Sequence, residues 1–178
     1  MIIFVGGFLG SGKSKLAQAL AQHLAFHLVS SKSAYGFETI RAAHREHHGK
    51  RSPLDDGEMS MLYNDIANQF PLLLKMHGGI VVCESLHRKE PRDILFNAAR
   101  KLGETRVIWV ESTDEKADKH MRNMQKEMGK SFAGLAAKRA VMWHSVQPFD
   151  SPPTVFQNDG PGKDAVQQFL DFYTRLFS

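Results

Sequence analysis

Gly7-Phe8-Leu9-Gly10-Ser11-Gly12-Lys13-Ser14 has the spacing of a loop that cradles nucleotide phosphates: a glycine, four residues, then glycine, lysine and a hydroxyl residue. Before it, Met1-Ile2-Ile3-Phe4-Val5 is a short apolar, partly β-branched run that reads as a buried strand, and a helix is expected from Lys13 onward. That context suits the chemistry. The first turn of a helix offers unpaired N–H groups and the positive end of the helix dipole to an anion. Glycines at 7, 10 and 12 let the backbone turn so that successive N–H groups converge on one phosphate. Lys13 is expected to reach the β- and γ-phosphates, and the Ser14 hydroxyl to take a place on Mg²⁺. Gly7, Gly10, Ser11, Gly12 and Lys15 complete the expected nucleotide-binding set. The alternative, a glycine-rich turn that binds nothing, has the full set of fixed positions against it.

The rest of the composition is compatible with this reading and narrows it. The 178 residues, 42% hydrophobic and 24% charged, predict one globular domain with chain enough for a sizeable core. Lys and Arg number 23 against 19 Asp and Glu, a formal charge of +4 with a pI near 9.2. This mild excess suits phosphorylated ligands, and, spread along the chain, it is weak evidence for nucleic acid. Cys83 is the single cysteine, so no internal disulfide or cysteine-rich metal site is expected. The apolar start lacks a basic region and runs directly into the loop, unlike a signal peptide. No run reaches the roughly 18 apolar residues of a membrane span. A cytoplasmic location is expected.

Along the chain, strand and helix alternate. Leu16, Leu20 and Leu24 give the helix after the loop one apolar face, and His27-Leu28-Val29-Ser30 reads as a second strand. A helix is predicted over 33–48, ended by Gly49-Lys50-Arg51-Ser52-Pro53. A longer one runs from Asp56 to His77, kinked or divided at Pro71 and stopped by Gly78-Gly79. Ile80-Val81-Val82-Cys83 is the clearest buried strand, with Glu84 at its carboxyl end. Pro91 opens a helix that Gly103 closes. Val107-Ile108-Trp109-Val110 follows, then a helix with Ser112 and Glu115 at capping-box spacing, ended by Gly129. Another helix holds Phe132, Leu135 and Met142. Thr154-Val155-Phe156-Gln157 is the last strand, and an amphipathic helix from Pro161 to Phe177 closes the chain. Five strands with helical crossovers imply a parallel sheet covered on both faces, with ligands beyond the carboxyl ends of its strands. The loop at 7–14, Ser30-Ser31-Lys32, Glu84, Ser112-Thr113 and Asn158-Asp159 should therefore ring one cleft.

The stretch Gly49-Lys50-Arg51-Ser52-Pro53-Leu54-Asp55-Asp56, then Ile80-Val81-Val82-Cys83-Glu84-Ser85-Leu86 running on to Arg92-Asp93, resembles gluconate kinases and the wider shikimate-kinase-like group of small P-loop kinases. The order of elements agrees over nearly the whole chain. The resemblance implies a three-layer α/β P-loop NTPase fold with a five-stranded parallel sheet, a single domain over 1–178, and ATP with Mg²⁺. It implies transfer of the γ-phosphoryl group to a hydroxyl of a small acceptor. It also implies a basic helical lid after the fourth strand, roughly residues 118–145.

Two positions depart from the family pattern. Its members place an aspartate just after the second strand, where this chain reads Ser30-Ser31-Lys32-Ser33. Asp55-Asp56 is followed by Gly57-Glu58 where gluconate kinases continue with an acid and an arginine. Glu84 is the candidate replacement for the first, holding the Mg²⁺ shell or positioning the nucleophile; a helix-capping or surface glutamate is the plainer reading. Arg122, Lys126 and Lys130 share one helical face, with Arg122 the expected catalytic cation because its planar fork suits phosphate; a solvated basic face is the other reading. Arg88, Lys89 and Arg92 match the segment that in the family approaches the acceptor, so Arg88 and Arg92 are candidates to bind an anionic one, against a solvated loop and helix start. His44, His47 and His48 lack a third ligand nearby and read as polar surface. Three function classes stay open: a small-molecule kinase, a kinase for the 5′-hydroxyl of a polynucleotide or a nucleoside, and a nucleotide-binding protein with decayed kinase activity. The second lacks an aromatic platform for bases.

Overall fold

The computed structural model describes residues 1–33, 36–48, 54–128, 131–160 and 164–177. Its centre is β1 (Ile2–Gly7), a strand buried along its whole length. Around it β2 (His27–Val29), β3 (Ile80–Cys83), β4 (Thr105–Glu111) and β5 (Thr154–Gln157) form one sheet in the order β2-β3-β1-β4-β5. Every pairing is parallel, and Ile2 stands opposite both Ile80 and Thr105. Parallel neighbours need crossovers, and these supply the two outer layers.

The period-2 alternation of a strand divides the β1 side chains between two cores. Ile2 and Phe4 face α3 (Asp56–His77) and α4 (Lys89–Arg100), where Phe4 meets the edges of Phe96 at 4.8 Å and Phe70 at 6.4 Å. Ile3 and Val5 face α1 (Lys13–Leu24) and α7 (Asp164–Phe177), packing with Leu16, Leu20, Phe169 and Tyr173. Burying a side chain such as Phe4 contributes about 2–3 kcal/mol. Central strands buried on both faces explain why β1 and β3 read as unbroken apolar runs.

Several local expectations change in detail. The helix predicted over 33–48 is α2, Phe37–His48. Pro71 lies inside α3 without dividing it; its fixed φ is helical, and Phe70, Leu73 and Leu74 anchor the turns on either side to the core. A capping box of Asp55 and Glu58 starts α3, and Gly78, left-handed at φ 71, ends it. At the start of α5 (Asp114–Met128) the capping hydroxyl is Thr113, bonded to the Lys116 N–H, in place of Ser112. Two helices follow β4, α5 and then α6 (Phe132–His144). The expected breakers at 49–53 and Gly129, and Lys130 and Pro161, lie outside the described residues. Among the described residues no helix is long and apolar enough to cross a membrane.

Candidate active site

The phosphate loop joins β1 to α1. Gly12 is the N-cap of α1 at φ 85, no side chain caps that end, and the first turn carries no acid. The positive end of the helix is thus left without a competing oxygen. Two glycines are required by both conformation and space. Gly10 has φ 83, and a Cβ there would stand 2.9 Å from the Ala117 carbonyl; at Gly12 one would stand 2.5 Å from Asn158 Nδ2.

Four consecutive loop carbonyls are each held by a side chain. Lys13 Nζ donates to Phe8 O at 3.4 Å, Arg139 Nη1 to Leu9 O at 2.7 Å, and Asn158 Nδ2 to Ser11 O at 2.6 Å. His120 Nδ1 holds Gly10 O at 2.7 Å. The donors come from α1, α6, the end of β5 and α5. Each carbonyl so fixed also fixes the N–H of the following residue, and those of Gly10 and Gly12 are left without an acceptor among the described residues, as an anion needs. The Lys13 pKa lies below the ordinary lysine value, chiefly through burial; Cys83 and Glu84 oppose the shift and Arg139 adds to it.

Beyond β3, Glu84 is buried and crosses to the end of β2. Its Oε1 accepts from the Ser31 N–H, and its Oε2 accepts from Tyr63 Oη of α3 at 3.1 Å. Ser31 occupies the region where the family aspartate is missing, so a carboxylate reaches that region from the neighbouring strand. Burial raises the Glu84 pKa above the usual carboxylate value; the bonds from Ser31 and Tyr63 and the charge of Lys13 act the other way. The next residue, Ser85, has its Oγ 3.0 Å from His87 Nδ1. Between Ser85 and His87, Leu86 is held at φ 53, a left-handed conformation costly for leucine that marks a tightly determined turn.

The structure brings together most of the predicted set. Lys13 and Glu84 lie within Coulombic reach, and exposed Ser14 has its Oγ 3.8 Å from Cys83 Sγ, at the strand end that carries Glu84. Lys15 is exposed on the first turn of α1. Asn158 touches the loop, and Thr113 N donates to Asp159 Oδ1 at 2.9 Å. A cavity of about 160 Å³ beside the loop is lined by Phe8, Ser11, Ser112 and Arg139, among others. A larger one, about 470 Å³, lies at the opposite, amino ends of β4 and β5, bordered by Arg92, Arg106 and Phe149. It holds none of the phosphate-loop residues.

Two basic residues, Arg92 and Arg122, are placed differently from expectation. Arg92, expected to bind the acceptor, is only 1% exposed. Its guanidinium donates to the carbonyls of Leu86, Gln147 and Pro148 and lies 4.1 Å over the Phe149 ring. A buried guanidinium needs acceptors for its whole fork, and these carbonyls engage it as a strut between α4 and the segment leading to β5. Arg122, expected over the transferred phosphate, is exposed and lies 4.3 Å over the Phe132 ring. Arg139, a residue sequence reasoning missed, is the arginine on the loop. Arg88, the N-cap of α4, pairs at 2.7 Å with Asp56, the first residue of α3.

The residues present fit a magnesium ion carried by a nucleotide. Ser14 offers an exposed hydroxyl beside the strand end bearing Glu84, and among the described residues no cluster of three or more His, Cys, Asp or Glu could bind a metal unaided. Magnesium held by one or two protein oxygens plus substrate phosphates needs no such cluster.

The parallel 2-3-1-4-5 order, with the loop leaving the central strand, decides the architecture. The fold is that of the P-loop kinases. Gluconokinase from Sinorhizobium meliloti superposes with a TM-score of 0.68 over 98% of this chain and 91% of its own, at 19% identity. The APS kinase of Mycobacterium tuberculosis, in complex with AMPPNP and APS, gives 0.63 over 99% and 97%, at 13% identity. Shikimate kinase from Acinetobacter baumannii, in complex with shikimate, gives 0.57 over 99% and 94%, at 15% identity. No family model matches the sequence, and no curated protein matches it significantly. In this P-loop kinase fold the five strand ends that bear Ser31, Glu84, the phosphate loop, Thr113 and Asn158 lie along one edge of the sheet.

Proposed function

We propose that the protein is an ATP-dependent phosphotransferase that moves the γ-phosphoryl group to a hydroxyl of a small anionic or sugar-like acceptor. The supporting observation is the Glu84 carboxylate, bonded to Ser31 at the end of β2 and within Coulombic reach of Lys13. A phosphoryl donor site and a carboxylate that can engage a hydroxyl thus adjoin.

The loop binds the polyphosphate through its N–H groups, and Lys13 stabilises the charge that develops on the γ-phosphoryl oxygens. Mg²⁺, held through Ser14 and the phosphates, would neutralise further charge there. Glu84 orients the acceptor hydroxyl and takes its proton as the oxygen bonds to the γ-phosphorus. The bond from that phosphorus to the bridging oxygen breaks, and ADP leaves with the electron pair. Burial raises the basicity of Glu84, which suits the task. Arg88 and neutral His87 flank the Glu84 turn as groups for an anionic acceptor, and the cations that surround His87, Arg88, Lys13 and Lys138, favour that charge.

The test is ADP release across sugar acids, sugars, nucleosides and 5′-hydroxyl oligonucleotides, with Lys13→Ala as the blank. Acceptor-dependent release by small anionic or sugar-like compounds is expected. Release with oligonucleotides alone would assign a polynucleotide kinase, and none above the blank with any acceptor would leave a nucleotide-binding protein without transferase activity.

A further inference from the structure

The geometry points to Arg139 and Asn158 as positioning residues for the nucleotide phosphate, each fixing one peptide plane of the loop. The inference rests on the phosphate-binding reading of the loop and concerns residues that the motif does not contain. In a planar trans peptide, the carbonyl of one residue and the N–H of the next point in opposite directions. Arg139 holds Leu9 O at 2.7 Å, so the Gly10 N–H points away from α6. Asn158 holds Ser11 O at 2.6 Å, so the Gly12 N–H points away from β5. The peptide between them is held by His120 on Gly10 O, and its N–H, that of Ser11, donates to Phe8 O at 3.2 Å. Over Gly10, Ser11 and Gly12 the Ser11 N–H is therefore used internally, while those on either side stay available. Among the described residues those of Gly10 and Gly12 have no acceptor.

These two planes need holding because of the glycines that form them. A flip of the Leu9–Gly10 or Ser11–Gly12 peptide changes φ at Gly10 or Gly12, where no Cβ restricts rotation. The freedom that admits the turn also admits the wrong orientation, with a carbonyl facing the phosphate.

Both pins are themselves fixed. Arg139 is 9% exposed, pairs with Asp114 at 3.2 Å and approaches the Phe8 ring. Asn158 is 3% exposed, and Lys116 Nζ donates to its Oδ1 at 2.9 Å, which directs the Nδ2 donor to the loop. The Asn158 N–H is anchored on Glu111 O at 2.8 Å.

The experiment is ADP titration in the presence of Mg²⁺, by calorimetry and by ¹H–¹⁵N spectra in which the Gly10 and Gly12 amides are assigned. In the parent both amides should move downfield as they donate to phosphate. Asn158→Ala should weaken ADP on the order of 10-fold or more and abolish the Gly12 movement while that of Gly10 remains. Arg139→Met should do the reverse. Asn158→Asp, which keeps shape and the Lys116 contact but turns an acceptor toward Ser11 O, should repeat the loss seen with Asn158→Ala and replaces it if that variant fails to fold. A variant that folds and keeps both glycine movements at parental ADP affinity would overturn the inference. So would one that loses affinity with both movements intact, the mark of a merely structural role. A parent that binds no ADP would overturn the phosphate reading, and this inference with it.

Discussion

His87 shows how a residue without a sequence signal acquires a measurable property. It is 9% exposed, and burial together with the positive charge of Arg88 and Lys13 lowers its pKa from 6.5 to about 4, against a small opposing effect of Asp56. Unfolded, the imidazole takes up its proton near pH 6.5; folded, only near pH 4. Between those values the unfolded state binds more protons, so the stability linked to His87 is complete above pH 6.5 and is lost as pH falls toward 4. The ceiling on that loss is about 3 kcal/mol. Chemical denaturation at a series of pH values should show His87→Asn with a shallower decline across this window than the parent. Identical slopes would mean that the imidazole takes up its proton in the fold at the same pH as in the unfolded chain, contrary to its burial.

Glu84, unlike His87, was legible in the sequence, because an acid ending a four-residue apolar strand stands out. Its partners were not. Tyr63 reads as one more apolar position in the period of α3, and only the packing of α3 on β3 reveals that its hydroxyl donates to Glu84. Arg139 and His120 were equally silent, since the carbonyls they hold are 130 and 110 residues away in the chain.

At the scale of elements, the two helices after β4 differ most from expectation. Basic spacing from Arg122 to Lys130 predicts a lid face over the phosphates. Instead, the first half of α5 packs on the loop through Ala117 and His120, and Arg122 faces Phe132 of α6. Helical periodicity identifies which residues share a face, but not which face turns to the site. Arg122→Ala is accordingly expected to keep turnover within about twofold of the parent and to lower stability by about 0.5–1 kcal/mol, the value of an exposed cation–π contact. Steady-state rates and thermal denaturation of the same preparation check both; a turnover loss on the order of 10²-fold with unchanged stability would restore Arg122 to the site. Elements with strong periods or clear punctuation, such as β3 and the ends of α3 at Asp55 and Gly78, were read correctly. α2 begins at Phe37, later than the residue 33 that the sequence suggests, because nothing in the composition of that stretch marks the helix start.

For the whole molecule, the parallel sheet does most to assemble the site. It aligns five carboxyl ends, so that the phosphate loop, Ser31, Glu84, Thr113 and Asn158, spread over 152 positions from Gly7 to Asn158 of the sequence, become neighbours or near neighbours. Strand count and direction were readable from alternating patterns. The order β2-β3-β1-β4-β5 was not, because apolar runs of equal quality carry no record of which neighbour each will choose. That order lets Glu84 of β3 cross to Ser31 beside β2.

The central claim is that Glu84 supplies the carboxylate for phosphoryl transfer in place of the aspartate missing after β2. Glu84→Gln keeps the shape and removes the charge. The raised pKa of Glu84 means that its ionised form is less favourable in the fold than in the unfolded chain, so the substitution should not lower the melting temperature at pH 7. The deciding measurement is the single-turnover rate of phosphoryl transfer to whichever acceptor stimulates ADP release, for the parent and for Glu84→Gln at saturating ATP. The account predicts a fall on the order of 10²-fold or more with ADP affinity unchanged. Transfer by Glu84→Gln at the parental rate would contradict it.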